Sequence, residues 1–317
     1  MIELKTGPWN LTDLKDVPSN GLSVFSCFHC GGGSTMGYKL AGFTVLGGVE
    51  IDPEMSKIYV KNHNPKHEYL MGVQEFKKIP DDLPPELFEL DILDGSPPCS
   101  SFSMAGNREK KWSVKKKFRE GQAEQVLDDL FFDFIDIAKK LQPKVVVAEN
   151  VKGLIQGNAR GYVKQIFQQF REAGYSCQLF LLNSAAMGVP QRRERTFFVA
   201  RRNDLGLPKI QLEFDERLIP VGPLLDKDKY RINKILPNRF GDVIVKLNEP
   251  MKTLVTRNRY FFDKTKIIIG ENNYSRMQSF PDDFDFLGKP SLYICGMSVP
   301  PFMMQRVADQ IQRQWFG

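Results

Sequence analysis

Three groups of residues could do chemistry together. Cys99 ends the run Asp91-Ile-Leu-Asp-Gly-Ser-Pro-Pro-Cys99, and Ser100, Ser101 and Ser103 follow it. Ile92 and Leu93 read as the end of a buried strand, which Gly95, Ser96, Pro97 and Pro98 stop on a stiff loop. A lone cysteine is more often a buried structural thiol, but this setting is prolines and serines rather than apolar side chains. A reactive thiol needs its thiolate stabilised by nearby cations, and Arg193 and Arg195 in Pro190-Gln-Arg-Arg-Glu-Arg195 are the candidates. The third group is Glu149-Asn150, at the end of the apolar run Val145-Val-Val-Ala148. A carboxylate buried there without a partner costs several kcal/mol. Burial predicts a raised pKa suited to proton donation, an arginine partner predicts an ion pair, and the two are compatible.

A second constellation points to a cofactor. Cys30-Gly-Gly-Gly-Ser-Thr-Met-Gly37 lies between a predicted strand and a predicted helix. Such a turn lets a ligand approach the backbone, and the helix amino terminus favours anionic groups. Glu50 ends the next predicted strand, the position from which an acid meets ribose hydroxyls. A nucleoside-containing cofactor is expected. Cys27 and Cys30 form one Cys-x-x-Cys pair around His29, but zinc needs about four ligands and no second pair follows. Close packing beside the glycine turn is the expected role, with no metal.

The rest of the chain fits an enzyme on a polyanion. With 317 residues, 42% of them hydrophobic, it can bury the core of one large domain or of a large and a small one. No apolar run approaches the roughly 18 residues of a membrane span. Met1 to Trp9 lacks the basic-then-apolar order of a signal peptide, and five cysteines are an odd number for a disulfide framework. These features predict a cytoplasmic protein with reduced thiols and no membrane partner. The net charge of +6 is concentrated. Arg108, Lys110, Lys111, Lys115, Lys116, Lys117 and Arg119 stand against two acids, and five arginines lie between 192 and 202 against Glu194. A solvated surface is the bland reading of such runs. Their position just downstream of candidate catalytic features favours a polyanionic substrate.

The elements that must position these groups alternate strand and helix over the first 200 residues. This predicts an α/β fold: a Rossmann-like, mostly parallel sheet with crossover helices. Strands are expected at 22–26, 44–50, 145–147, 177–182 and 196–200. Helices are expected at 34–41, 54–62 after Pro53, 122–141 by apolar spacing, and 161–173 with Gly174 as the stop. After Arg202 helical periodicity is poor and prolines punctuate the chain. The expected organisation is a catalytic and cofactor-binding domain over 1–202, a small, irregular, β-rich target-recognition region over 203–285, and a segment over 286–317. A helix from about Phe302 to Trp315 in that last segment should return to the large domain.

Together these residues resemble the C5-cytosine DNA methyltransferase family. Its ordered motifs appear as Phe25 through Gly37, Pro97-Pro98-Cys99, Glu149-Asn150-Val151, Gln191-Arg-Arg-Glu-Arg195, Pro250-Met-Lys-Thr253, Arg276-Met-Gln-Ser-Phe-Pro281 and Gly296-Met-Ser-Val299. The resemblance implies methyl transfer from S-adenosylmethionine to C5 of a cytosine flipped out of duplex DNA. Cys99 would attack C6, Glu149 would meet N3 and the exocyclic amine, and Asn150 would orient the loop. Arg195 and Arg193 would hold the cytosine O2 and neighbouring groups. For the cofactor it implies Phe25, Ser26, Gly31, Gly32, Gly33, Glu50, Ile51, Gly72, Val73, Ser96, Pro98, Ser298 and Val299. For DNA, Ser101, Arg108, Lys110, Lys111, Lys115, Arg257, Arg259 and Tyr260 are the candidates. A monomer suffices for this chemistry, and a cognate restriction endonuclease is a candidate partner in a bacterial or phage setting. Four departures stand out. Cys27-Phe28-His29-Cys30 reads as extra residues in the first motif, and no acid stands near Met71-Gly72-Val73 for the adenine amine. Asn272-Asn273 occupy the place of an Arg-Glu pair, and Met297 that of an asparagine. The recognition segment is short, which implies a short target. An RNA methyltransferase of the same fold, a non-catalytic DNA-binding protein and a thiol-dependent metabolic enzyme acting on free nucleotides are the rival readings.

Overall fold

A computed structural model describes residues 3–79, 82–98, 115–116, 125–126, 129–156, 160–226, 231–232, 237, 241–256, 258–262 and 267–317. Seven strands form its central sheet: β1 (Ser23–Cys27), β2 (Thr44–Glu50), β3 (His67–Leu70), β4 (Ile92–Gly95), β5 (Val145–Val151), β6 (Tyr175–Asn183) and β7 (Glu194–Arg202). Across the sheet their order is β3-β2-β1-β4-β5-β7-β6. Neighbours from β3 to β5 are parallel, and β7 alone runs antiparallel to its neighbours β5 and β6. The expected α/β architecture is therefore present. Strand succession reverses between β1 and β4, and the crevice outside their carboxyl ends is where such sheets bind ligands.

Residue patterning explains the layers. Val145, Val146, Val147 and Ala148 are apolar in succession because β5 is covered on both faces. Alternate side chains then serve opposite cores. Val24, Ile92, Val145, Val147, Phe197 and Val199 pack under α1 (Gly33–Leu40), α2 (Pro53–His63) and a carboxyl-terminal helix, Pro301–Ile311. Phe25, Leu93, Val146, Ala148 and Phe198 pack under Val73–Phe76 (α3), Leu130–Leu141 (α4) and Arg160–Glu172 (α5). Pro53 opens α2 as expected, and the Asp52 side chain caps it by accepting from the Glu54 and Met55 amides at 2.9 and 3.3 Å. Helix Pro301–Ile311 returns onto α1 so closely that a Cβ on Gly37 would lie 2.4 Å from the Met304 Cβ.

The helix expected over 122–141 starts only at Leu130, while Gln125–Val126 pairs antiparallel with Lys115–Lys116. The apolar spacing there imitates a helix, but backbone pairing takes those two residues into a hairpin. Beyond β7, the chain from Asn203 to Leu225 has short 3-10 turns but no strand. A second sheet follows, of β8 (Arg231–Ile232), β9 (Asp242–Val245), β10 (Arg259–Phe262) and β11 (Ile267–Ile268), ordered β8-β11-β10-β9. Two short helices, α6 (Glu271–Met277) and α7 (Ser291–Met297), precede the last helix, α8, already located at Pro301–Ile311. No helix among the described residues is long and apolar enough to cross a membrane.

Candidate active site

Glu149 lies near the carboxyl end of β5, directly opposite Phe197 of β7. Because β7 is antiparallel, Arg195 sits two residues back from that pair, on the same side of the strand. Its Nε reaches the Glu149 Oε1 at 2.9 Å. Both side chains are largely buried, so the bond is a desolvated ion pair with charge-assisted geometry. Of the two fates open to Glu149, the structure has the arginine partner. Burial lowers the Arg195 pKa, and Glu149 opposes that shift.

Arg193 precedes β7 in the tight connection from β6. The Ser184 hydroxyl fixes this turn, donating to the Gln191 carbonyl at 2.6 Å and accepting from the Arg193 amide at 3.1 Å. The Arg193 side chain is 3% exposed. Its Nη2 donates to the Gly296 carbonyl at 3.0 Å, while Nε and Nη1 have no hydrogen-bond partner among the described residues. Burial and the like charge of Arg195 bring its pKa down to about 9, against the pull of Glu149. Orphaned buried donors are rare in folded proteins, and a functional ligand is one of the few explanations.

Asn150 donates through Nδ2 to the Pro97 carbonyl at 3.0 Å and accepts the Val151 amide at 2.9 Å. It therefore ties β5 to the loop that carries Pro97 and Pro98 away from β4. Cys99 itself, with Ser101, Arg108, Lys110, Lys111 and Arg257, lies outside the described residues, and Lys115 is described only as part of its strand pairing. Gln191 holds the surrounding segments together, donating to Gln278 Oε1 at 2.6 Å and accepting the Leu254 amide at 2.9 Å.

On the other side of the crevice, Glu50 ends β2, with Ile51 next to it. The Glu50 carboxylate accepts the Cys30 amide at 3.0 Å and the Asp52 amide at 2.9 Å. Two backbone donors leave about half the acceptor capacity of a carboxylate open, which fits a ribose diol. Gly72, half-buried at the start of α3, has only Ile51 near the position of a Cβ, at 3.6 Å, and Val73 is buried behind it. Ser96 and Pro98 are half-buried at the β4 edge, and Ser298 and Val299 are buried against the glycine turn.

Several expected cofactor contacts are placed differently. Phe25 is fully buried beneath the sheet, stacked on Phe76 at 5.6 Å, and reaches no crevice. Strand β1 runs through Cys27, so of the four apparent extra residues Cys27 ends the strand and Phe28, His29 and Cys30 open the strand-to-helix turn. Phe28, half-buried with φ +57°, is the first residue past the carboxyl end of β1. Protein packing already leaves no room for a side chain at the three glycines. A Cβ on Gly31 would lie 2.6 Å from Ile294, one on Gly32 2.1 Å from His63, and one on Gly33 2.1 Å from the Val299 carbonyl. Ser26 is buried and donates to Asp94 at 2.8 Å.

Asp94 is a site residue that no sequence pattern marked. It is 1% exposed on β4 and also accepts from the Tyr38 hydroxyl at 3.3 Å. Burial pushes its carboxyl up to about 7, helped by the charge of Glu149 and resisted by the hydroxyls of Ser26, Ser34 and Tyr38. Among the DNA candidates, Arg259 is held by Asp242 in a bidentate pair at 2.8 Å. Tyr260 is fully buried, with its hydroxyl bonded to the backbone of 253–255, so it braces the loop before Arg257 instead of facing a partner. Asn273, one of the departures, is likewise structural: its amide makes two bonds to the Asp226 backbone, at 2.7 and 3.1 Å.

A doubly wound sheet with an acid on β2 and an acid–arginine pair beyond β4 defines an α/β enzyme of the methyltransferase kind. The family model for C-5 cytosine-specific DNA methylase matches residues 22–272, and the chain belongs to that family. Type II methyltransferase M.FnuDI of Fusobacterium nucleatum is 35% identical over 193 residues, 61% of this chain and 51% of that protein. This chain thus aligns with about half the length of that relative. Type II methyltransferase M1.HphI of Haemophilus parahaemolyticus is 28% identical over 92% of this chain and 86% of its own length. Among solved structures, one assigned as a DNA modification methyltransferase encoded within an E. coli prophage superposes with a TM-score of 0.72. It covers 94% of this chain and 100% of that one at 19% identity, a likeness of fold.

Proposed function

We propose that this chain transfers a methyl group to C5 of a cytosine flipped out of a short duplex DNA sequence, through a covalent Cys99–C6 intermediate. The observation that carries the reading is the Glu149–Arg195–Arg193 cluster at the β5 and β7 ends. Two of its buried guanidinium nitrogens have no partner among the described residues, and it stands beside the Pro97-Pro98 loop that leads to Cys99. A cytosine ring presents a carbonyl acceptor at O2, and N3 with an exocyclic amine beside it. Arg193 and Arg195 would take the oxygen, and Glu149 the nitrogen edge.

The Cys99 thiolate forms a bond to C6, which makes C5 electron-rich, and C5 takes the methyl group. A base then removes the C5 proton, and the C6–S bond breaks to return the thiolate. S-adenosylmethionine, when bound, supplies the electrophilic methyl group and leaves as S-adenosylhomocysteine. Glu50 would hold its ribose, with Phe28 and Ile51 beside the adenine and Ser96 and Pro98 toward the methyl-donating end. Residues 203–285 would read the target, and a monomer would suffice. The source would be a bacterium or phage, with the protein working in the cytoplasm and, where the gene is so paired, protecting DNA from a cognate restriction endonuclease.

The test is expression of wild type and Cys99→Ser in a host whose DNA lacks 5-methylcytosine, followed by nucleoside mass spectrometry. The expected result is 5-methyldeoxycytidine from wild type alone. Its absence with soluble, folded wild type would refute the proposal.

A further inference from the structure

One buried ring beside the cofactor crevice has more polar investment than a packing role requires. His29 sits in the turn between β1 and α1, and its side chain is wholly buried. The Nε2 atom lies 3.2 Å from each carboxylate oxygen of Glu68 on β3, and Nδ1 lies 3.2 Å from the Cys30 carbonyl. Both partners are acceptors, and together they hold the ring at its two nitrogens. Three further elements make room for it. Tyr59 of α2 stacks on the ring at 3.7 Å, Ser56 of α2 donates to Glu68 at 2.6 Å, and a Cβ on Gly48 of β2 would lie 2.7 Å from the His29 Cδ2. The next residue along the turn, Cys30, gives its amide to Glu50.

We propose that His29, clamped by Glu68, is a positioning residue that fixes the Cys30 turn and so keeps the Glu50 carboxylate aimed at a nucleoside ribose. This rests on the cofactor reading given above. Around the ring stand Glu68 from β3 and Tyr59 from α2, with Glu50 at the end of β2 and His63 of α2 within electrostatic reach. Burial raises the Glu50 carboxyl, and the charge of His29 with the amides of Asp52 and Cys30 works against that rise. Loss of the ring would let that rise go further, and a protonated carboxyl accepts fewer ribose hydroxyls.

The experiment is calorimetric binding of S-adenosylhomocysteine between pH 6 and 8.5 to wild type, His29→Asn, Glu68→Gln, Glu50→Gln and the double variant His29→Asn/Glu50→Gln. The His29→Asn variant should bind about tenfold more weakly, a coupling of ordinary size, and its affinity should fall further toward pH 6 while wild type stays flatter. Glu68→Gln, nearly isosteric, should shift in the same direction if His29→Asn folds poorly. The double variant should be no weaker than Glu50→Gln alone, because both act through one carboxylate. Wild-type affinity and pH profile in His29→Asn, or losses that add in the double variant, would overturn the inference. Failure of wild type to bind the nucleoside at all would instead remove the cofactor reading beneath it.

Discussion

Replacing Arg193 with methionine should make the protein more stable and nearly inactive. Arg193 is 3% exposed and has one hydrogen bond, to the Gly296 carbonyl, with Nε and Nη1 unpartnered among the described residues. Each buried unsatisfied donor costs about 1–3 kcal/mol, and the bond that would be lost contributes about 1 kcal/mol. Methionine fills similar space with an adaptable apolar chain, and removes a like charge from beside Arg195. That neighbour keeps its 2.9 Å pair with Glu149. The net gain is therefore on the order of 1 kcal/mol or more, or roughly 2 °C in unfolding temperature for a chain of this size. If the free nitrogens are reserved for the cytosine oxygen, losing them should slow methyl transfer by about 10²–10³, the usual effect of deleting one transition-state donor. Urea unfolding and single-turnover methyl incorporation into bacterial DNA measure the two sides separately. A variant that is destabilised yet transfers methyl groups at the wild-type rate would refute the reasoning.

Three further outcomes follow from the same geometry. Asn150→Ala frees the Pro97 carbonyl and the loop it steadies, so the methyl-transfer rate should fall about tenfold for a loss of about 1–1.5 kcal/mol; an unchanged rate in a destabilised variant contradicts that role. The Asp94 carboxyl is raised from 3.8 to about 7, so the folded protein binds more protons than the unfolded chain between those values. Wild-type stability should therefore fall, relative to Asp94→Asn, as pH rises from about 4 to 7, and parallel denaturation profiles would count against it. Gly72→Asp has room for its Cβ and caps α3. It should bind S-adenosylhomocysteine at least as tightly as wild type, and weaker binding in a folded variant would move the adenine end elsewhere.

Much of the sheet was legible because parallel strands write their burial into continuous apolar runs. Val145–Ala148 was visible as a strand for that reason, and Pro53 and Gly174 marked helix ends that the structure has. The pairing of Glu149 with Arg195 was legible only as an option, since it depends on β7 running antiparallel in one register. Phe25 reads as a cofactor residue because sequence alone does not place the end of β1 to the residue. Three positions on, Phe28 lies past that end, in the turn. Tyr260 looked like a reader of DNA from its neighbours Arg257 and Arg259, but its hydroxyl is needed by the backbone of 253–255. Asp94 and His29 carry no local signal at all. Their partners lie on Ser26 and Tyr38, and on Glu68 and Ser56, and only the fold brings them together.

The central claim is covalent attack by Cys99 on a cytosine held by this site. Duplex DNA in which 5-fluorocytosine replaces cytosine tests it directly, because the fluorine that replaces the C5 proton cannot be abstracted by a base after methyl transfer. Incubated with S-adenosylmethionine, the wild-type protein should form a complex that survives denaturation, with a peptide containing Cys99 joined to the methylated base. Cys99→Ser should form none. A folded wild-type protein that leaves such DNA unmodified, or that attaches it through another residue, would contradict the account.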